Sequence, residues 1–268
     1  MTDNQNLDIF VFADRNIPVP PSNPCYKAVV LEGDRVETTM PVITCHKSRD
    51  PLLLMEHGYS EGARLHYIWR NYPLKDYVGT AHYRRFFEFF DDIPDMDEVF
   101  SRYDAVLPGF TLGRSMRDQY ALAHSVDDYD RVIGIIHTYY PQYGPAAEEA
   151  SRKEYIIPCN IFILKKQLFR EWCEFVFGVL SIFDSVRGFR KDIDIYNYVV
   201  NRLPEYYDCK SSQQRSVSYQ SRIQAFLMER LSTIFFRARI KNPLIRKMYM
   251  TEVHDDYERK IYITDDEQ

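Results

Sequence analysis

The stretch DYVGTAHYRRFFEFF, Asp76 to Phe90, decides how the chain is read. It predicts a buried strand over 76–82 that runs straight into His82, Tyr83, Arg84 and Arg85. Arginine is rarely buried without a partner, so two adjacent arginines after a core strand need an anion. Two readings stand. One is an internal ion pair with Glu88, Asp91 or Asp92. The other is a ligand, because the planar guanidinium fork matches phosphate or carboxylate, and two in a row suit a diphosphate.

Outward from this strand, LDIFVFA (7–13) and YKAVVLE (26–32) are short apolar runs with strand character, separated by the loop-forming NIPVPPSNP. SEGARLHYIWRNY predicts a helix with Leu65, Ile68 and Trp69 on one face, stopped by Pro73. A short helix is expected over Asp95–Arg102 and a strand over 103–108. Ser125 is placed as an N-cap, with Asp127 and Asp128 in the first turn. EYIIPCNIFIL (154–164) reads as one strand. Leu168 to Phe183 and a segment near 219–236 read as the last long helices. This order predicts an α/β fold with a mostly parallel central sheet flanked by helices and a helical C-terminal part. Ligands of such folds sit beyond the carboxyl ends of strands, where His82 to Arg85 fall.

The 268 residues suit one α/β domain with a helical appendage, drawn here as 1–236 followed by 237–268. A net charge of −5 argues against a general nucleic-acid binder. The five cysteines form no C-x-x-C pair, which speaks against a structural zinc site and a disulfide framework. MTDNQNLDIF has neither a basic n-region nor an apolar h-region, and no run of 18 apolar residues occurs. A cytoplasmic setting is the expectation. From Arg230 to Met250 six cations alternate with large apolar residues, without an acid. This segment reads either as a helix packed on the core or as a basic amphipathic surface peripheral to an anionic membrane.

The stretch 61–87, EGARLHYIWRNYPLKDYVGTAHYRRFF, resembles the signature of the DUF4422 family, E-L-T-x-x-Y-W-x-W-K-N followed by D-Y-[IV]-G-[LT]-x-H-Y-R-R-[YF]-F. DQYALAHSVDDYD, CNIFILKKQLFREWCEFVFGVL and YQSRIQAFLMERL resemble its later blocks, so the likeness spans about 7–236. Three departures stand out. Asp14 and Arg15 replace the T-H-K that usually ends the opening strand, Ile68 replaces a Trp, and Ala225 replaces a Gly. The stretch 187–216 has no clear counterpart. The resemblance implies a GT-A-like glycosyltransferase of bacterial capsule or exopolysaccharide synthesis. It would use a UDP-sugar such as UDP-galactofuranose and a glycan or lipid-linked glycan acceptor.

Under that resemblance Arg84 and Arg85 take the place of the Asp-x-Asp-bound metal that usually neutralises the leaving diphosphate. No cofactor is expected, and a divalent metal is disfavoured. Two Asp-x-Asp strings exist, Asp95–Asp97 and Asp192–Asp194, but both suit solvated or helix-starting positions. Nucleotide-sugar contacts are assigned to Arg15, His82, Tyr83, Arg84, Arg85 and Asn160. An inverting transfer needs a general base, with Asp118, His124 and Glu229 as candidates. Glu61 binds the acceptor or pairs with Arg84. Each has a structural alternative: a hydrogen-bonded core His124, a Glu229–Arg230 pair, a strand-end turn at Asn160. Cys159 reads as packing. The rival of another class is a non-catalytic carbohydrate-binding or polysaccharide-assembly subunit on the same scaffold.

Overall fold

The computed structural model describes residues 5–17, 20–202 and 216–250. The strands are β1 (Leu7–Phe12), β2 (Tyr26–Leu31), β3 (Val42–Cys45), β4 (Tyr77–His82), β5 (Arg85–Phe87), β6 (Ala105–Leu107), β7 (Phe110–Thr111), β8 (Tyr155–Ile156), β9 (Phe162–Lys165), β10 (Pro243–Ile245) and β11 (Met248–Met250). The early helices are α1 (Glu56–Tyr59), α2 (Glu61–Asn71), α3 (Met96–Arg102), α4 (Met116–Ala123) and α5 (Val126–Tyr139). They are followed by α6 (Gly144–Arg152), α7 (Lys166–Arg187), α8 (Asp192–Asn201), α9 (Val217–Gln220) and α10 (Ile223–Arg239).

The main sheet has the order β10-β6-β9-β4-β1-β2-β3, with β5 on β4 and β11 on β5. Strands β3, β2, β1 and β4 are parallel neighbours. β9 opposes both β4 and β6, and β10 is parallel to β6. The sheet is therefore mostly parallel, as expected, with β9 and the short β5 reversed. Every residue of β1 is buried, because both faces are covered. Phe10 and Phe12 join the core under α2, α5, α7 and α10, while Leu7, Ile9 and Val11 meet the smaller layer around Phe86, Phe87 and Phe100. Gly79 sits mid-strand in β4 because a Cβ there would come within 2.8 Å of Ile9 and 3.2 Å of Ile163.

Three expectations are corrected. The run 154–164 is not one strand: β8 pairs with β7 in a separate small sheet, and β9 enters the main one. Pro158 lacks the ladder donor, and Cys159 and Asn160 both take positive φ, at 57° and 50°. The boundary drawn at 236 falls inside α10, and β10 and β11 beyond it are strands of the main sheet. The basic segment 230–250 is also not a free amphipathic surface. Ile234, Phe235 and Phe236 are core residues, and Arg230 is buried. Arg237 pairs with Glu149, Arg239 with Glu171 and Arg246 with Glu88. Several of its large apolar groups are thus buried in the fold, and four of its six cations pair with acids of the chain, three of them at the surface. Among the described residues no helix is long and apolar enough to cross a membrane. The polar tail 251–268 and positions 203–215 of the 187–216 stretch lie outside the described residues.

Candidate active site

Neighbouring parallel strands β1 and β4 end in register, Phe12 beside His82. A cavity of about 830 Å³ opens beyond their carboxyl ends. It is lined by Arg15, Glu61, His82, Tyr83, Arg84, Arg85, His124 and Glu229 among the residues expected from sequence. Asn160 and Asp118 are not on its wall. Asn160 is buried, its side-chain oxygen accepting from Ser232 (2.8 Å) and its carbonyl from Thr80 (2.5 Å). Asp118 is exposed and closes the first turn of α4 with Ser115 (2.6 Å). Neither geometry presents a group to a ligand in the cavity.

The arginine pair is not used in an internal ion pair. Asp91 accepts from the backbone of Ser22 and Asn23, and Glu88 faces Arg246. Among the described residues no carboxylate comes within 4 Å of Arg84 or Arg85. Arg84 even has a buried Nε without a hydrogen-bond partner. The Tyr83 ring holds two guanidinium groups near it, Arg15 at 5.3 Å and Arg84 at 5.6 Å. Arg15 is itself tied to Asp14 at 2.9 Å. His82 lies behind this group with a buried, unpartnered Nδ1. Burial pulls its pKa down to about 4, and the charges of Arg85 and Arg84 pull the same way against Glu61. The imidazole is therefore neutral near pH 7, and the arginines carry the positive charge.

Arg85 is held through a relay. Its NH1 donates to Cys159 Sγ (3.2 Å). The Cys159 backbone N–H donates to Glu229 (2.9 Å), whose other oxygen accepts from Arg230 (2.9 Å). Arg230 in turn donates to Gln119 (2.5 Å). Glu229 thus fastens a left-handed turn that carries the partner of Arg85. Both its oxygens are engaged, a poor arrangement for a base. Cys159, read as packing from sequence, belongs to the site. Burial pushes its thiol up to about 12, so it stays protonated.

His124 stands on the wall with its ring stacked 3.9 Å from that of Phe226. Gln220 donates its amide to the Ala123 carbonyl (2.9 Å), which turns its oxygen to His124 Nδ1 (3.1 Å). That nitrogen is consequently the donor in this contact. The Glu61 side chain, at the start of α2, makes no hydrogen bond or ion pair among the described residues, yet acts electrostatically on His82 and Cys159. A carboxylate therefore stands near the arginines without being neutralised by either.

The two Asp-x-Asp strings are engaged elsewhere. Asp95 caps α3 by accepting from the backbone of Asp97 and Glu98. Asp192 accepts from the backbone of His57 and Gly58, and Asp194 from Arg190 and Lys191. Neither lines the cavity. Sequence reasoning missed Glu56, Arg64 and Arg222, which also line it. The helical spacing of Arg222, Phe226, Glu229 and Arg230 could have revealed one face of α10 there.

The family model described as "Domain of unknown function (DUF4422)" matches residues 8–207. Much of the 187–216 stretch thus falls inside the matched span, and the block around 219–231 falls outside it. No curated protein matches the chain. Among solved structures, the apo form of the bifunctional glycosyltransferase WbbM is similar in fold, with a TM-score of 0.63 at 16% identity. The similarity covers 92% of this chain and 46% of that one, so the chain spans about half the length of its structural relative.

Proposed function

The chain belongs to the DUF4422 family, and from that premise we propose that it is a glycosyltransferase that moves a sugar from a UDP-sugar, with UDP-galactofuranose the first donor to test, to a glycan or lipid-linked glycan acceptor of a bacterial surface polysaccharide. The observation that carries this reading is the Arg84–Arg85 pair, lining a large cavity at the carboxyl end of a central strand, with no carboxylate partner among the described residues. A volume near 830 Å³ is in the range of nucleotide and cofactor sites. The fold shared with a glycosyltransferase supports the same reaction class.

In this reading the diphosphate rests on Arg84 and Arg85, with Arg15, Tyr83 and His82 around the nucleotide. The acceptor hydroxyl oxygen attacks the anomeric carbon. The bond from that carbon to the diphosphate oxygen breaks, and its electron pair leaves with UDP, where fixed guanidinium charge stabilises it. Glu61 binds the acceptor hydroxyl and takes its proton. A single displacement inverts the anomeric centre. Glu229 and His124 are positioning groups, the first for Arg85 through Cys159 and the second for the aromatic wall. The rival reading, a carbohydrate-binding subunit without catalysis, shares the scaffold but gives no role to a carboxylate and two guanidinium groups that form no ion pair among the described residues.

Thermal-shift screening of nucleotide-sugars identifies the donor, and transfer to a polysaccharide-derived acceptor is then assayed with and without EDTA. UDP-sugars should raise the melting temperature, and EDTA should leave transfer unchanged. Transfer that vanishes with EDTA and returns with Mn²⁺ would refute the arginine mechanism. UDP-sugar binding without any transfer would favour the binding subunit.

A further inference from the structure

Among the described residues the cavity is lined by six arginines, Arg15, Arg64, Arg84, Arg85, Arg222 and Arg230, against four acids, Asp14, Glu56, Glu61 and Glu229. Three arginines are matched to three of the acids, Arg15 to Asp14, Arg64 to Glu56 and Arg230 to Glu229. Arg84 and Arg85 are accounted for by the donor diphosphate. Arg222 remains, with no carboxylate within 4 Å among the described residues.

Its position makes that more telling. Arg222 is the N-cap residue of the 17-residue α10. A cation is disfavoured there, because the helix N-terminus already presents partial positive charge. The side chain is half-buried, lies over the Phe226 ring at 5.5 Å, and donates to Ser60 Oγ at 3.3 Å. Ser60 has φ 52° and ψ −129°, an unfavourable conformation for a residue with a Cβ, and gives α2 no side-chain cap. A serine hydroxyl is thus held against Arg222 at a conformational cost. The surroundings are hydroxyl-rich, with Ser216, Ser218 and Tyr219 on the same wall. This differs from the strand-end side, where Tyr83 and three guanidinium groups gather.

We infer that Arg222, with Ser60, forms an anion-reading subsite at the acceptor end of the cavity, and that the acceptor carries a negatively charged group, a uronic acid carboxylate or a sugar phosphate. The inference rests on the proposed donor site at Arg84 and Arg85. One guanidinium and one hydroxyl would each donate to the anion, and the ligand would supply the negative charge that no acid among the described residues supplies there. The hydroxyl-lined wall would meet the remainder of the sugar.

The test uses the full chain saturated with UDP and titrated, by saturation-transfer NMR, with glucuronate, galactose 1-phosphate and methyl glucoside. One or both anionic sugars should bind at least ten-fold more tightly than the neutral one, and the preferred one identifies the anion. Arg222→Met should abolish that preference while UDP affinity stays within two-fold of wild type. Its melting temperature should equal or exceed that of wild type, because an unpaired cation has left a helix N-terminus. Equal binding of all three sugars by the wild type overturns the inference and leaves the donor site standing. Loss of UDP affinity in Arg222→Met, as large as that in Arg84→Ala, overturns it by assigning Arg222 to the diphosphate. Should the wild type fail to bind UDP, the donor reading falls, and the same comparison of wild type with Arg222→Met on the ligand-free chain still decides the anion subsite.

Discussion

Asp184 shows how the packing beneath the cavity sets a titration. It is buried on α7 and accepts from Tyr59 (2.6 Å) and Gln224 (2.7 Å). Burial pushes its carboxyl up to about 7, and the two hydrogen bonds only partly offset this. A carboxyl raised in the folded state stabilises the fold below its unfolded pKa, and that contribution is lost as pH rises toward 7. His82 works in the opposite sense. Its pKa is depressed to about 4, so its contribution is present above 6.5 and is lost as pH falls toward 4. Asp184→Asn should remove the first effect only. The melting temperature of the variant minus that of wild type is expected to climb from pH 4 to pH 7 and then level off. Parallel profiles across that range would mean that Asp184 does not titrate there.

Among the elements, the turn between β8 and β9 matters most for the site. Cys159 and Asn160 take left-handed conformations in succession, which few non-glycine residues do. The turn is fastened by Ser232 and Thr80 on Asn160 and by Glu229 on Cys159. Asn160→Ala should cost about 1–3 kcal/mol, because the hydrogen bond that ties the turn to Ser232 is lost and alanine tolerates this conformation less well. Urea unfolding measures it, and a loss under a few tenths of a kcal/mol would show that the turn is not held by this side chain. The turn also marks where sequence reading stopped short. Strands β1, β2 and β4 and helices α2, α7 and α10 were legible, because long apolar runs or one-faced stripes dictate them locally. The reading of 154–164 as one strand followed its apolar content, while Pro158 was the signal against it. The cavity position of Arg84 and Arg85 was legible from the strand end. The relay from Gln119 to Arg85 was not, since it joins four segments brought together only by tertiary packing. Glu229 illustrates the limit: its Arg230 neighbour was visible in sequence, but its grip on Cys159 spans 70 residues.

At the scale of the molecule, the C-terminal strands complete the sheet rather than append to it. β10 pairs with β6 along Ala105–Leu107, and β11 covers β5 directly after the arginine pair. A chain ending at residue 240 would leave both edges open, so lower melting temperature and association on size-exclusion chromatography are expected. Unchanged melting and elution would show that these strands are dispensable. The parallel strands, the reversed β9 and the flanking helices have a common consequence: at one end of β4 stand two guanidinium groups that meet no carboxylate within 4 Å among the described residues, with Glu61 near them. The central claim is that this charge receives a nucleotide diphosphate. Calorimetric titration of UDP into wild type, Arg84→Ala and Arg85→Ala tests it most directly. The account predicts that the wild type binds and that each variant binds more weakly by about 1–3 kcal/mol, the scale of a charge-assisted hydrogen bond. Equal UDP affinity in all three proteins would contradict it.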